Sequence, residues 1–130
     1  MNSTTRFREA ILNAAGGAAL YGARVYAKVA PLDALHGETY IVLDRISTQR
    51  EAAHDGDGRL ATTLVQVTIG GPQRERIEEV KDFLIEALHG KQYESASGSI
   101  VTLLSDDTDR YEPDARTYSA ILDFQVIDNN

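Results

Sequence analysis

The chain has 130 residues, of which 42% are hydrophobic, and it carries a formal net charge of −7 and no cysteine. This length fits one domain, residues 1–130, that buries roughly two-thirds of its unfolded surface, and the missing cysteines exclude disulfides and thiolate metal sites. The acidic balance disfavours sequence-specific nucleic-acid binding, which uses clustered Lys and Arg, and no stretch approaches the ~20 apolar residues of a membrane span, so we expect a soluble protein.

The N-terminal segment predicts one short helix. Apolar residues recur at near-helical spacing through residues 5–15, and Gly16 and Gly17 then favour an end to the helix. Residues 18–38 are apolar without a clear period and contain chain breakers, which predicts irregular packing rather than a regular element.

Two strands are predicted in the next part of the chain. Residues 39–47 are rich in β-branched and aromatic types, and residues 60–69 alternate between apolar and polar positions. The connection between them, residues 48–59, is polar, and its Asp and Gly residues favour turn geometry. We therefore expect a long, exposed hairpin loop there.

A second helix follows directly. Gly70-Gly71-Pro72 predicts the end of the strand and the start of a helix, because proline suits the first helical turn. The helical period runs to about Leu88, and Gly90 supplies a stop. The apolar face predicted for this helix consists of Ile77, Val80, Leu84, Ala87 and Leu88.

Residues 98–105 and 116–128 predict the third and fourth strands. The acidic segment between them, residues 105–114, has the composition of a solvated turn. One face of the last strand is predicted to carry Tyr118, Ala120, Leu122, Phe124 and Val126.

In chain order these elements predict a single α+β domain with the order αββαββ. Helices separated along the chain by pairs of strands favour a layered arrangement. We expect a mostly antiparallel four-stranded sheet with two helices packed on one face.

No local pattern predicts chemistry. The three histidines lie far apart and none has a second ligand at helical or hairpin spacing. The Asp55-Gly56-Asp57-Gly58 segment lacks the bidentate glutamate of a calcium loop, and residues 105–114 lack its central glycine. Gly70-Gly71 is not followed by the Lys-Ser or Lys-Thr of a phosphate-binding loop. We expect no enzyme activity, no metal site and no cofactor.

Two surface features are candidates for interaction. On the second helix four acidic residues, spaced four, three and four apart, form a line opposite the apolar face, and we name them the acidic stripe: Glu75, Glu79, Asp82 and Glu86. Basic neighbours offset part of the repulsion within this line, so it is either a solvated face or a docking stripe for a basic partner.

The loop predicted over residues 48–58 is the second candidate. It combines both signs of charge with turn residues, and such a segment can become ordered against a neighbouring protein. An idle hairpin loop is the other interpretation. The loop candidates are Arg50, Glu51, Asp55 and Asp57.

An ordered set of short segments runs from about Ala23 to Val126. The segments are Ala23-Arg24-Val25-Tyr26, Tyr40-Ile41-Val42-Leu43, His54-Asp55-Gly56 ahead of Val65-Gln66-Val67, Ala87-Leu88-His89-Gly90, Tyr111-Glu112-Pro113-Asp114, and Tyr118 with Asp123-Phe124. Each segment alone is an ordinary strand, turn or helix. Their succession resembles the tail-completion or tail-terminator proteins of long-tailed bacteriophages.

The resemblance implies a structural component of a phage, prophage or gene transfer agent tail, assembled in the host bacterial cytoplasm. Such proteins form a ring, typically hexameric, that caps the head-proximal end of the tail tube. The implied partners are further copies of the chain, the major tail tube protein and a head-completion or connector protein.

Other functions stay open on the sequence. A head-tail connector or a minor tail subunit could share the size, charge and fold class. A small ligand-binding regulatory domain belongs to a different class and would need a convergent pocket. An enzyme would need a strongly perturbed titratable group in a cleft.

Overall fold

The computed structural model describes residues 3–22, 24–27, 39–50, 60–95, 98–112 and 117–129. A short 3-10 turn, Gly17–Ala19, follows the first helix. The main elements are α1 (Ser3–Leu12), β1 (Val25–Ala27), β2 (Tyr40–Arg50), β3 (Leu60–Gly71), α2 (Arg74–Leu88), β4 (Lys91–Ser95), β5 (Gly98–Glu112) and β6 (Thr117–Asn129).

All six strands belong to one mixed sheet with the order β1-β2-β3-β6-β5-β4, which curls into a half-barrel. The β1–β2 pair is parallel and the other four pairs are antiparallel. The prediction of a four-stranded sheet with the order αββαββ is therefore wrong. The two missed strands, β1 and β4, are three and five residues long, too short to show a period of their own.

The core lies between the sheet and the two helices, on a side that we name the helix face. Alternate residues of the neighbouring strands β3 and β6 point to this side and lie next to each other, as the period of two in a strand requires. They are fully buried or nearly so. Each buried Val, Leu, Ile or Phe side chain among them contributes about 1.5–3 kcal/mol through removal from water. The central pairs are Val65–Phe124, Val67–Leu122 and Ile69–Ala120.

Helix α1 is part of this core. Phe7 and Ile11 are completely buried, and the Phe7 ring lies 5.4 Å from that of Phe124 on β6. The helix ends at Leu12, three residues earlier than the sequence predicts. Its last turn is closed by Tyr21, whose hydroxyl donates a hydrogen bond to the Ile11 carbonyl, one of the acceptors that a helix end leaves unsatisfied.

Helix α2 confirms the predicted apolar face. Its buried residues are Ile77, Val80, Leu84 and Leu88, while Ala87 is half-buried. The helix stops where Gly90 adopts a φ of 70°, a left-handed conformation that favours glycine. Thr102 on β5 fixes this end, because its hydroxyl donates to the Leu88 carbonyl. Among the described residues, no helix is long and apolar enough to cross a membrane.

The prediction of a solvated turn at residues 105–114 is wrong over residues 105–112. These residues form the second half of β5. The cause is an irregularity at Ser105, where the pairing with β6 shifts between Leu104 and Asp106. Such a bulge inserts one residue and moves the following side chains to the opposite faces. Asp-rich composition favours turns locally, but thirteen residue pairs with β6 override it here.

Candidate interaction surface

The acidic stripe lies where the sequence places it. All four of its carboxylates are exposed, on the side of α2 opposite the buried residues. Burial of Ile77, Val80 and Leu84 against the sheet fixes the orientation of the helix, so the stripe faces away from the core. It is one continuous acidic surface along about three turns of α2.

Basic residues of α2 neutralise the acidic stripe only in part. Arg76 Nη1 lies 3.9 Å from Glu79 Oε2, and these side chains are 45% and 60% exposed, so the pair contributes about 0–1 kcal/mol. Asp82 and Glu86 make no ion pair within the described part of the chain. Described basic side chains therefore do not neutralise the C-terminal half of the stripe.

Lys81 joins α2 to the acidic half of β5, a contact that sequence reasoning missed. Its Nζ lies 3.5 Å from Asp109 and 3.8 Å from Glu78, and its side chain is 14% exposed. Partial burial lowers the pKa of Lys81, but the carboxylates of Asp109, Glu78 and Asp107 outweigh this and raise the pKa above its ordinary value. The bulge at Ser105 is what turns Asp107 and Asp109 toward the helix face.

Most of the loop candidates lie outside the described residues. Arg50 is the last residue of β2, and its side chain is not described. Glu51, Asp55 and Asp57 fall in the range 51–59, outside the description as well. The predicted interaction role of this loop stays a prediction.

The other motifs have structural explanations where they are described. His89 accepts a hydrogen bond at Nδ1 from the backbone N–H of Leu104, 2.9 Å away, and so links the end of α2 to β5. Gly70 lies under the Tyr40 ring, and a Cβ there would stand 2.5 Å from the hydroxyl oxygen. Gly70 thus leaves room for the Tyr40 ring, which gives the motif a packing explanation without a phosphate. The other two histidines and the Asp-Gly repeat lie outside the described residues.

A groove of about 300 Å³ lies between the C-terminal ends of the helices and β4. Its polar lining includes Asn13 and Tyr93, but Asn13 Nδ2 donates to the Tyr93 hydroxyl 3.1 Å away, so these two groups are occupied with each other. Alanines from both helices line much of the rest. Within the described ranges, no three His, Asp or Glu side chains come close enough together to hold a metal ion.

Comparison with known proteins points to one family. A family model described as Tail completion protein gp17 matches residues 6–127. A chain in the virion of a native gene transfer agent particle has the same fold, with a TM-score of 0.69, 19% sequence identity, and coverage of 94% of this chain and 90% of that one.

Other likenesses are weaker. Two solved chains from Akkermansia muciniphila align with TM-scores of 0.36 and 0.37 at 9% identity, each over 67% of this chain and less than half of their own length, and they have no bearing on function. No curated protein sequence matches the chain.

Proposed function

Since the chain belongs to the tail completion protein gp17 family and is a structural protein of a phage tail, we propose that it caps the head-proximal end of the tail tube. In this role it ends the polymerisation of the tube protein and offers the surface to which the head connector joins. The observation that carries the proposal is the family match, which extends over residues 6–127 and so reaches from α1 into β6.

The cap is a ring of several copies, with six as the expected number, assembled in the host bacterial cytoplasm. A ring closes by a repeated head-to-tail contact, so each subunit needs two different and complementary patches. Its other neighbours are the major tail tube protein and a head-completion or connector protein. The acidic stripe and the loop bearing Arg50, Glu51, Asp55 and Asp57 are the candidate contact sites.

The position of the chain in the particle tests the cap directly. Detached tails would be labelled with gold through a tag on this chain and viewed by negative-stain microscopy. The proposal requires one label cluster per tail, at the end opposite the fibres or baseplate. Label along the tube or at the distal end would refute it, and label retained on heads would assign the chain to the connector.

Charge reversal tests the acidic stripe as a contact site. The double variant Glu79→Lys and Asp82→Lys should reduce the fraction of tails that carry the chain by about tenfold, as expected when close charge pairs across an interface are lost. The isolated fold should survive, because both side chains are exposed and opposite the core. Thermal unfolding by circular dichroism checks this point.

Glu9→Lys, compared with each of the two single variants, is the matched control, since Glu9 lies on α1 and one reversal there gives the same change in charge on another helix. It should leave incorporation into tails unchanged. Equal incorporation of the double variant and the wild type would show that the acidic stripe is not part of the interface.

A further inference from the structure

The side of the sheet opposite the helices, which we name the open face, has no described helix or strand packed on it. It consists of the outward-facing residues of β2, β3, β5 and β6, which alternate with the buried ones of the core. An antiparallel sheet with one solvated face normally places polar residues there. Two features set the open face apart: an apolar departure from that pattern and a concentration of one sign of charge.

The first departure is an apolar patch at one end of the open face. Val101 and Ile127 are direct partners on β5 and β6, and Leu103 and Leu64 flank Gln125 on its two sides. None of the four apolar residues belongs to the buried core, and Leu103 is 36% exposed. The patch therefore spans three adjacent strands.

The second feature is a row of three aspartates and one glutamine across the middle of the open face, which we name the acidic row. The strand register places Asp44, Gln66, Asp123 and Asp106 side by side on β2, β3, β6 and β5. Asp106 and Asp123 are direct partners, and like charges in that position destabilise a sheet. Among the outward positions of these four strands whose side chains are described, there is no Lys or Arg.

Asp123 bears a further cost. Its Oδ1 is buried and accepts no hydrogen bond from the part of the chain that the structure describes. A buried acceptor without a partner destabilises the fold, and more so when it is charged. In the isolated chain, Asp123 thus lowers the stability of the fold for two reasons: its like charge beside Asp106, and its own unsatisfied oxygen.

We propose that the open face binds an arginine-bearing surface of another tail protein, whose guanidinium donates to the exposed carboxylate of Asp106 and to the accessible side of the half-buried Asp123, while its neighbours cover the apolar patch. Guanidinium groups match carboxylates in geometry, and their stems pack on apolar side chains. This inference rests on the proposed function, because it needs a neighbour within a virion.

The net charge of this chain favours a partner other than a second copy of it. A second copy that presented its α2 would bring the acidic stripe against the acidic row, and like charges juxtaposed across an interface oppose binding. The whole chain carries a net charge of −7, so a basic complement comes more readily from another component.

Asp123→Asn tests the inference in particles made by a strain that lacks the natural gene and expresses the variant. If the acidic row serves a partner, the substitution should leave the melting temperature of the isolated chain unchanged or raised, because it removes a like-charge contact. It should lower the number of copies per particle by about tenfold or more. If Asp123 had a purely structural role, the substitution would lower both the melting temperature and the number of copies per particle. That result would overturn the inference.

Adjacent residues of β5 provide a matched pair. Asp106→Asn alters the open face and should reduce incorporation, whereas Asp107→Asn alters the helix face and should not. Equal behaviour of the two variants would contradict the assignment to the open face. Wild-type chain missing from particles would refute the proposed function itself, whereas normal incorporation of Asp123→Asn would refute only this inference.

A photo-crosslinking residue at position 103 identifies the partner. In intact particles it should link to a protein other than this chain, through a peptide that contains arginine. A link to a second copy, a link within the same chain, or no link at all would each overturn the inference.

Discussion

Replacement of Phe7 by alanine tests whether α1 is an integral part of the fold. The Phe7 side chain is completely buried, and its ring lies 5.4 Å from that of Phe124 at an interplanar angle of 53°. Removal of a buried phenylalanine costs about 3–5 kcal/mol through lost transfer free energy and the cavity left behind. The free energy of unfolding of a typical domain is about 5–15 kcal/mol. Phe7→Ala should thus remove a large share of the stability.

Urea denaturation followed by circular dichroism measures this loss as a shift of the midpoint at constant slope. Phe7→Leu is the control, because it keeps an apolar side chain of similar volume and should cost less than about 1.5 kcal/mol. A loss below about 1 kcal/mol for Phe7→Ala would refute the packing described for α1, and would free the helix for a contact with another subunit.

Two further predictions concern single buried contacts. Burial raises the pKa of Tyr21 from 10 to about 12, so the unfolded chain loses this proton first and stability should fall as the pH rises from 10 to 12, by about 1.4 kcal/mol for each pH increment of one. Tyr21→Phe should show a shallower fall in urea titrations over that range, and identical slopes would contradict the assignment. Gly70→Ala should cost about 1–3 kcal/mol because its Cβ meets the Tyr40 ring; in a Tyr40→Leu background the cost should shrink, and an additive double mutant would argue against the contact.

Long periodic elements were predictable from the sequence. The apolar face of α2 and the alternation of β6 depend on local period, and each agrees with the observed burial. The two faces of β3 were predictable for the same reason. In each case burial of one face is strong enough to fix the register.

The missed features depend on distant partners. Strand β4 has the sequence KQYES, which shows no apolar alternation and becomes a strand by pairing with β5. Residues 105–112 carry three aspartates, and only the register with β6 and the contact with Lys81 reveal a strand there. The composition of the open face could be recognised only from that same register. The sequence does not show that Asp106 lies beside Asp123, or that the alternation of side chains between the two faces shifts at Ser105.

The same limit applies to the candidate sites. The acidic stripe could be placed from helical spacing alone, since positions three and four apart share a face. Its ion pair with Arg76 also follows from that spacing. The link from Lys81 to Asp109 spans 28 positions along the chain and could not be read from any local pattern.

The length and head attachment of tails in particles made without this gene test the proposed cap most directly. Negative-stain microscopy of a deletion strain, with the gene restored from a plasmid as control, gives both quantities for each particle. If the chain ends tube polymerisation, the deletion should produce tails of irregular, excessive length without heads. Tails of normal length without heads would reassign the chain to the connector, and intact infectious particles would contradict a role in tail completion.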